Sequence, residues 1–220
     1  MKVILFGATG MVGQGVLREC LRDPGVTQVV AVGRDATRQQ HSKLREIVRK
    51  DLFDLSSIER DLTGFDACFF CLGVSSAAVD EIMYRRITYD MTMSVAQTLI
   101  RLNPNMTFIY VSGAGTDSTE TGRMMWARVK GKTENDLLTM TEKSYMFRPA
   151  FIQPMHGALS RSKVTRIFYK VVGPLYPLVK HFPRFVTTTE TIARAMLAIA
   201  KHGTKKRVLE SRDINETGSL

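Results

Sequence analysis

Short apolar runs alternate with amphipathic stretches from the N-terminus to about residue 150. That alternation is the pattern of strand–helix–strand units around a parallel sheet, whose buried strands read as near-continuous apolar runs. It predicts strands over Lys2 to Phe6, Thr27 to Val32, Glu46 to Arg49, Asp66 to Leu72, Met106 to Ser112 and Ser144 to Phe147. Helical stripes lie between them, one through Val12, Val16, Leu17, Cys20 and Leu21, another through Ile82, Met83, Ile87, Met91, Val95 and Leu99. Asp23-Pro24-Gly25 ends the first. After residue 150 Pro and Gly recur at short intervals, which breaks long helices. Only Thr191 to Ala200 regains helical periodicity, through Ile192, Ala195, Met196 and Ile199, before an expected strand at Arg207 to Glu210.

Chemistry enters directly after the first strand, with Gly7-Ala8-Thr9-Gly10-Met11-Val12-Gly13 opening the first helix. Gly7 permits a tight turn, Gly10 lets backbone approach a pyrophosphate, and Gly13 allows close helix–strand packing. Thr9, Met11 and Val12 complete the loop, where free N–H groups of the helix N-terminus face the anion. Strand before and helix after is the context that gives this glycine spacing its meaning. Where an acidic residue would bind the adenine-ribose hydroxyls of NAD, the chain has Val32-Gly33-Arg34-Asp35, with Arg38 one turn on. Arginine forks onto a 2′-phosphate, so NADP(H) is favoured over NAD(H), with Asp35 as the opposing feature. Asp51 and Leu52 follow the third strand and suit the adenine or, equally, a turn. Cys71-Leu72-Gly73 ends the fourth, beside the expected cofactor cleft.

With these residues the chain resembles the atypical, extended-type short-chain dehydrogenases/reductases that are NAD(P)-dependent and epimerase-like, closest in look to the Tat-interacting oxidoreductase-like branch. The resemblance rests on the glycine loop, Asp51-Leu52, Val111-Ser112-Gly113, Lys130 and Arg148-Pro149-Ala150, and covers about residues 1 to 155. It implies a doubly wound Rossmann fold, an α/β architecture with a mostly parallel sheet of about seven strands; the Pro- and Gly-rich segment at 151–189 reads, from its texture, as a small C-terminal lobe packed on it. The resemblance also implies a Ser, Tyr and Lys constellation for hydride transfer. Ser112 and Lys130 take two of those places, but the position four residues before the lysine is Trp126. An indole N–H only donates and does not ionise in this range, so it does not replace a tyrosine as acid and base. Ser112 could hold a substrate carbonyl and Lys130 the nicotinamide ribose; the plain alternatives are a strand-end serine and a solvated lysine paired with Glu134 at i+4. Tyr84, Tyr89, Thr116 and His156 are candidate replacement proton donors. Two functions follow: a reductase or epimerase-like oxidoreductase on a small molecule, or a non-catalytic dinucleotide-sensing regulator.

The 220 residues suit one NAD(P)-binding domain across the chain, with enough length to bury a core. Lys and Arg number 31 against 21 Asp and Glu, a formal charge of +10. Up to residue 150 the balance is 19 to 17; beyond it, 12 to 4, and no acid falls between Lys143 and Thr189. The charge is mostly a property of the last 70 residues, and of one acid-free stretch beside the expected cofactor cleft. It ranks as a solvated face first, then an attractor for an anionic small-molecule substrate, then a peripheral membrane contact, with nucleic acid last for want of any accompanying motif. Three cysteines, an odd count, and no secretory h-region point to a reducing, cytoplasmic setting. Cys68-Phe69-Phe70-Cys71 has redox spacing but falls on a buried strand, where positions three apart face opposite ways. The histidines at 41, 156, 181 and 202 are scattered, and no metal site is expected.

Overall fold

The structure, a computed structural model, describes residues 1–158 and 185–219. Its main sheet has seven parallel strands: β1 (Lys2–Phe6), β2 (Gln28–Gly33), β3 (Leu44–Val48), β4 (Ala67–Phe70), β5 (Thr107–Val111), β6 (Ser144–Arg148) and, past a smaller pair, β9 (Val208–Glu210). They lie in the order β3-β2-β1-β4-β5-β6-β9. The expected strands are all present, within a few residues at their ends. Alternate side chains feed two cores. Val3, Leu5, Val29, Phe69, Ile109 and Phe147 face α1 (Met11–Arg22), α5 (Thr189–His202) and α6 (Ser211–Gly218). Ile4, Phe6, Val30, Phe70, Phe108 and Met146 face the opposite way, toward α3 (Met91–Leu102) and α4 (Met125–Met140). On that side the rings of Phe6 and Phe70 stack at 5.5 Å and those of Phe70 and Phe108 at 6.0 Å. Burial on both faces is why these strands carry no polar alternation. Cys68 and Cys71 join opposite cores, as their spacing on a strand requires.

The second helical stripe is corrected in part. Its helix is α2 (Glu81–Arg85), one wide π turn at Arg86–Asp90, then α3. The buried side runs through Tyr84, Thr88, Met91, Val95 and Leu99, while Ile82 is 83% and Met83 41% exposed. Among the described residues the helix start packs chiefly on α4 and leaves these apolar side chains uncovered. α4 was the faintest helix in the sequence, because its buried face is Ala127, Gly131, Thr133, Glu134 and Leu137. Gly131 is obligatory: a Cβ there would stand 1.7 Å from the Asp117 carbonyl oxygen, so the loop after β5 lies directly on the helix.

β7 (Phe151–Gln153) and β8 (Val186–Thr188) pair in parallel as a separate two-stranded sheet, which the sequence did not suggest. They bring the two ends of the C-terminal lobe together. Arg161, Lys163, Arg166, Lys170, Lys180 and Arg184, and the amphipathic pattern at Val164 to Val172, fall outside the described residues. Among the described residues no helix is long and apolar enough to cross a membrane.

Candidate functional site

All seven strands end on one edge of the sheet, and the order reverses between β1 and β4, the place where doubly wound sheets open a crevice. The glycine loop lies there. Gly7 has φ +82°, and a Cβ on it would approach the Cys71 carbonyl carbon and oxygen to 2.7 Å. A Cβ on Gly13 would stand 2.0 Å from the Gly7 oxygen. Two of the three glycines thus hold α1 against the ends of β1 and β4. Gly10, whose N–H donates to the Gly7 carbonyl at 2.9 Å, caps α1 without a side chain, and no acid occupies the first turn. The first N–H groups of a helix have no intrahelical acceptor, so an uncapped N-terminus in a crevice is an anion seat. Met11 and Val12 supply them, and the Thr9 carbonyl is braced by Gln14 Nε2 at 3.0 Å. Gly15 adds a contact not foreseen: a Cβ there would meet Thr189 Cβ at 2.7 Å, so it sets how closely α5 approaches α1.

Ala8, Thr9, Val32, Gly33, Asp35 and Thr37 line a shallow depression beside this loop. Glu46 from β3 also borders it, accepting from the Thr37 N–H at 2.6 Å. Arg34 and Arg38 are exposed on the turn after β2, Arg38 with φ +62°. Asp51 caps its own turn through the Phe53 N–H at 2.8 Å, and Leu52 is 3% exposed in the α3-side core. At the end of β4, burial pushes the Cys71 thiol up to about 12, which makes it inert as a nucleophile. Leu72 is partly buried, and Gly73 is exposed with open space around it.

The third group joins β5, α4 and β6. Ser112, 6% exposed, donates its hydroxyl to Glu134 and has the Phe147 carbonyl at 3.1 Å. It is turned inward, away from the substrate contact expected of it. Glu134 is wholly buried, and Arg148 meets it with Nε at 3.0 and 3.1 Å from the two carboxylate oxygens and with Nη2 on one of them. Arg148 also reaches Ser118 Oγ at 2.6 Å and Glu210 at 3.6 Å. Lys130 therefore does not pair with Glu134 in the manner of a solvated i+4 lysine. Its ammonium donates to the main-chain carbonyl of Ser112, in the bend where Gly113 begins the loop. Desolvation lowers it from an ordinary 10.5 to about 8, against the partial opposition of Glu134. Trp126 sits one turn earlier on α4, its ring under Gly115, where a Cβ would come within 3.3 Å. Glu134 and Arg148 are the residues that sequence reasoning missed as a pair.

The other candidate proton donors are engaged elsewhere. Tyr84 is 2% exposed and burial raises its phenol. Tyr89 donates to Asp136 at 2.6 Å, a bond that also pushes its phenol up. Thr116 donates to the Gly113 carbonyl at 2.7 Å. His156 stands 2.9 Å from Glu190 in a groove of about 280 Å³ between α1 and α5, with Gln14 and Arg18.

The lysine gives a stability prediction. Below pH 8 it is protonated in both folded and unfolded chains, and the folded state bears the full cost of the desolvated charge. Between 8 and 10.5 the unfolded chain holds more protons, so stability rises with pH. Lys130→Met is expected to be more stable than the parent by about 1–3 kcal/mol at pH 7, and the gap to narrow by pH 10. Urea denaturation at the two pH values checks it; a variant less stable at pH 7 would mean that the lost bond to Ser112 outweighs the charge.

Fold and cleft define an α/β, doubly wound protein of the dinucleotide-binding class. The chain belongs to the NAD(P)H-binding family, whose model matches residues 7–144. Among curated relatives it is similar to Protein FMP52, mitochondrial, of Meyerozyma guilliermondii, 23% identical over 99% of this chain and 95% of that one. It is also similar to Protein fmp52, mitochondrial, of Emericella nidulans, 25% identical over 81% and 78%. Among solved structures, the Bordetella bronchiseptica enzyme WbmF in complex with NAD+ superimposes with a TM-score of 0.70 at 16% identity, covering 98% of this chain and 76% of that one. DesIV, a dTDP-glucose 4,6-dehydratase from Streptomyces venezuelae with NAD and TYD bound, gives 0.71 at 14%, covering 99% and 80%. At these identities the structures establish the fold. The mitochondrial names of the relatives correct the cytoplasmic expectation. Free cysteines fit any reducing compartment and do not distinguish one from another.

Proposed function

We propose that the protein is an NADP(H)-dependent oxidoreductase that reduces a carbonyl on a small molecule, or acts reversibly on the corresponding alcohol. The observation that carries this reading is the uncapped N-terminus of α1 at the switch point, with Gly7 and Gly13 in positions that admit no Cβ. That cradle fits a pyrophosphate, whose charge the helix N-terminus and the net positive chain both favour. A bound nicotinamide dinucleotide supplies the hydride. Met11 and Val12 hold its phosphates through main-chain N–H groups, and Trp126, wedged under Gly115, walls the cleft beside Lys130 and limits water. Ser112 acts on the site from within, by tying β5 to Glu134. The absence of a tyrosine at position 126 favours a second reading, a dinucleotide sensor without turnover. NADPH oxidation in the presence of a panel of small aldehydes and ketones separates the two, since a sensor would bind and not turn over.

The choice of NADP(H) rests on Arg34 and Arg38, both exposed and in no ion pair among the described residues, at the ribose end of the cleft. Two acids line the depression and oppose a 2′-phosphate, Asp35 and Glu46, of which Glu46 accepts from the Thr37 N–H. Removing one charge-assisted contact to phosphate costs roughly 1.5–3 kcal/mol. Arg34→Ala is therefore expected to weaken NADPH binding about tenfold or more and to leave NADH binding unchanged, as read by quenching of the fluorescence of Trp126, the single tryptophan. Tighter binding of NADH than NADPH by the parent protein would overturn the preference.

A further inference from the structure

Four features around Lys130 are unusual together. Its ammonium is partly buried where β5 gives way to the loop, on the sheet edge that carries the glycine cradle. Among the described residues its hydrogen bond goes to a neutral group, the Ser112 carbonyl. Glu134, the carboxylate that i+4 spacing offers it, is taken by the Arg148 guanidinium and by the Ser112 hydroxyl. Tyr84 is buried, Tyr89 is bonded to a carboxylate, and position 126 is an indole.

We propose that Lys130 is itself the proton donor and acceptor of this site, a catalytic residue doing the work for which position 126 has no phenol. The inference rests on the oxidoreductase reading above and names the group that completes it. An ammonium has three N–H bonds; the Ser112 carbonyl takes one, which leaves hydrogens for a substrate oxygen. In the reducing direction a C–H bond forms as the carbonyl carbon accepts a hydride, and the carbonyl π pair moves to oxygen. The Nζ–H bond breaks as that oxygen takes the proton, the reduced nicotinamide is oxidised by two electrons, and the neutral amine regains a proton from water. The reverse direction runs through the neutral amine as base.

The charges around Lys130 suit this role. On its own helix Glu134 holds it partly toward the charged form; from β6 Arg148 neutralises most of that influence, with Glu210 at the end of β9 behind it; from β5 come the Ser112 dipole and, deeper, the un-ionised Tyr110. The balance leaves an amine near 8, and general acid–base groups work best when they titrate close to the working pH. A lysine locked to a carboxylate would keep its proton. The Arg148–Glu134 pair is thus a positioning device that holds β5, β6 and α4 together and frees the ammonium from its natural counter-ion.

The test uses the full chain with 15Nζ- and 13Cε-labelled lysine, titrated by NMR from pH 6 to 11 without cofactor. One lysine, assigned by its loss in Lys130→Arg, is expected to titrate about 2 pH units below the others; a midpoint near 10.5 overturns the proposal whatever the protein binds. Arginine keeps the cation but releases no proton in this range. Lys130→Arg is accordingly expected to bind NADPH within about threefold of the parent and to lose about 10²- to 10⁴-fold in carbonyl-dependent NADPH oxidation. Lys130→Met, expected to fold, should lose the same rate. Retained turnover in either variant, with a low midpoint, overturns Lys130 as donor and leaves the oxidoreductase reading standing. Failure of the parent to bind NADPH, or to oxidise it with any carbonyl offered, overturns that reading and the inference resting on it.

Discussion

Arg148→Ala is expected to destabilise the protein by about 3–5 kcal/mol, the cost of leaving a buried carboxylate without its partner. Glu134 is 0% exposed, and among the described residues its side-chain hydrogen bonds come from the Ser112 hydroxyl and this one guanidinium. The loss is large against the roughly 5–15 kcal/mol that holds a domain folded. Equilibrium urea unfolding measures it, and the double variant Arg148→Met with Glu134→Gln supplies the control. A neutral pair removes the stranded charge, so the double variant should recover more than half of the loss. A loss below about 1 kcal/mol in the single variant would show that the carboxylate finds water or a proton on relaxation. The same substitution bears on the site, since Glu134 released from Arg148 turns toward Lys130 and stabilises its ammonium. Arg148→Ala should therefore raise the titration midpoint of that lysine, a response that simple loosening of the fold would not give.

Gly13→Ala carries the second large effect. Its methyl carbon would sit 2.0 Å from the Gly7 oxygen, and backbone atoms on both sides leave nothing flexible to yield. Helix α1 has to move off the loop, which costs about 1–3 kcal/mol as overpacking and displaces the N–H groups of Met11 and Val12 from the place where phosphates would lie. Dinucleotide affinity is expected to fall at least 100-fold. Gly10→Ala gives the contrast: its Cβ meets the Gly7 oxygen only at 3.3 Å, so the fold should lose under about 1 kcal/mol, while binding falls because the methyl group stands at the helix mouth. Calorimetric titration with NADPH, alongside thermal unfolding of both variants, separates the two effects. Unchanged NADPH affinity in Gly13→Ala would mean that the cradle is not the phosphate seat.

What made the sheet legible is that a strand buried on both faces announces itself locally. Val3 to Phe6, Val29 to Val32 and Phe108 to Tyr110 have no polar interruption, and the glycine spacing after β1 ties the first strand to the first helix. Helix α5 was equally plain, since Ile192, Ala195, Met196 and Ile199 cover the sheet with ordinary apolar residues. Helix α4 was faint because its inner face is small and polar, and its burial is made possible by partners distant in sequence: Asp117 over Gly131, and Arg148 and Ser112 on Glu134. Ile82 and Met83 misled in the opposite direction, since hydrophobic periodicity says which face would be buried and not whether another element reaches it.

The sequence by itself determined the class of fold and the glycine cradle of an NAD(P)H-binding chain, because each is written in residues adjacent in the chain and constrained by local geometry. Tertiary structure alone decided the state of Lys130. Spacing pairs it with Glu134, but the approach of β6 to α4 gives that carboxylate to Arg148 and leaves the ammonium on a carbonyl. A charge buried among partners that are 18 and more residues away takes its chemistry from which of them arrives first, and no local pattern records that contest.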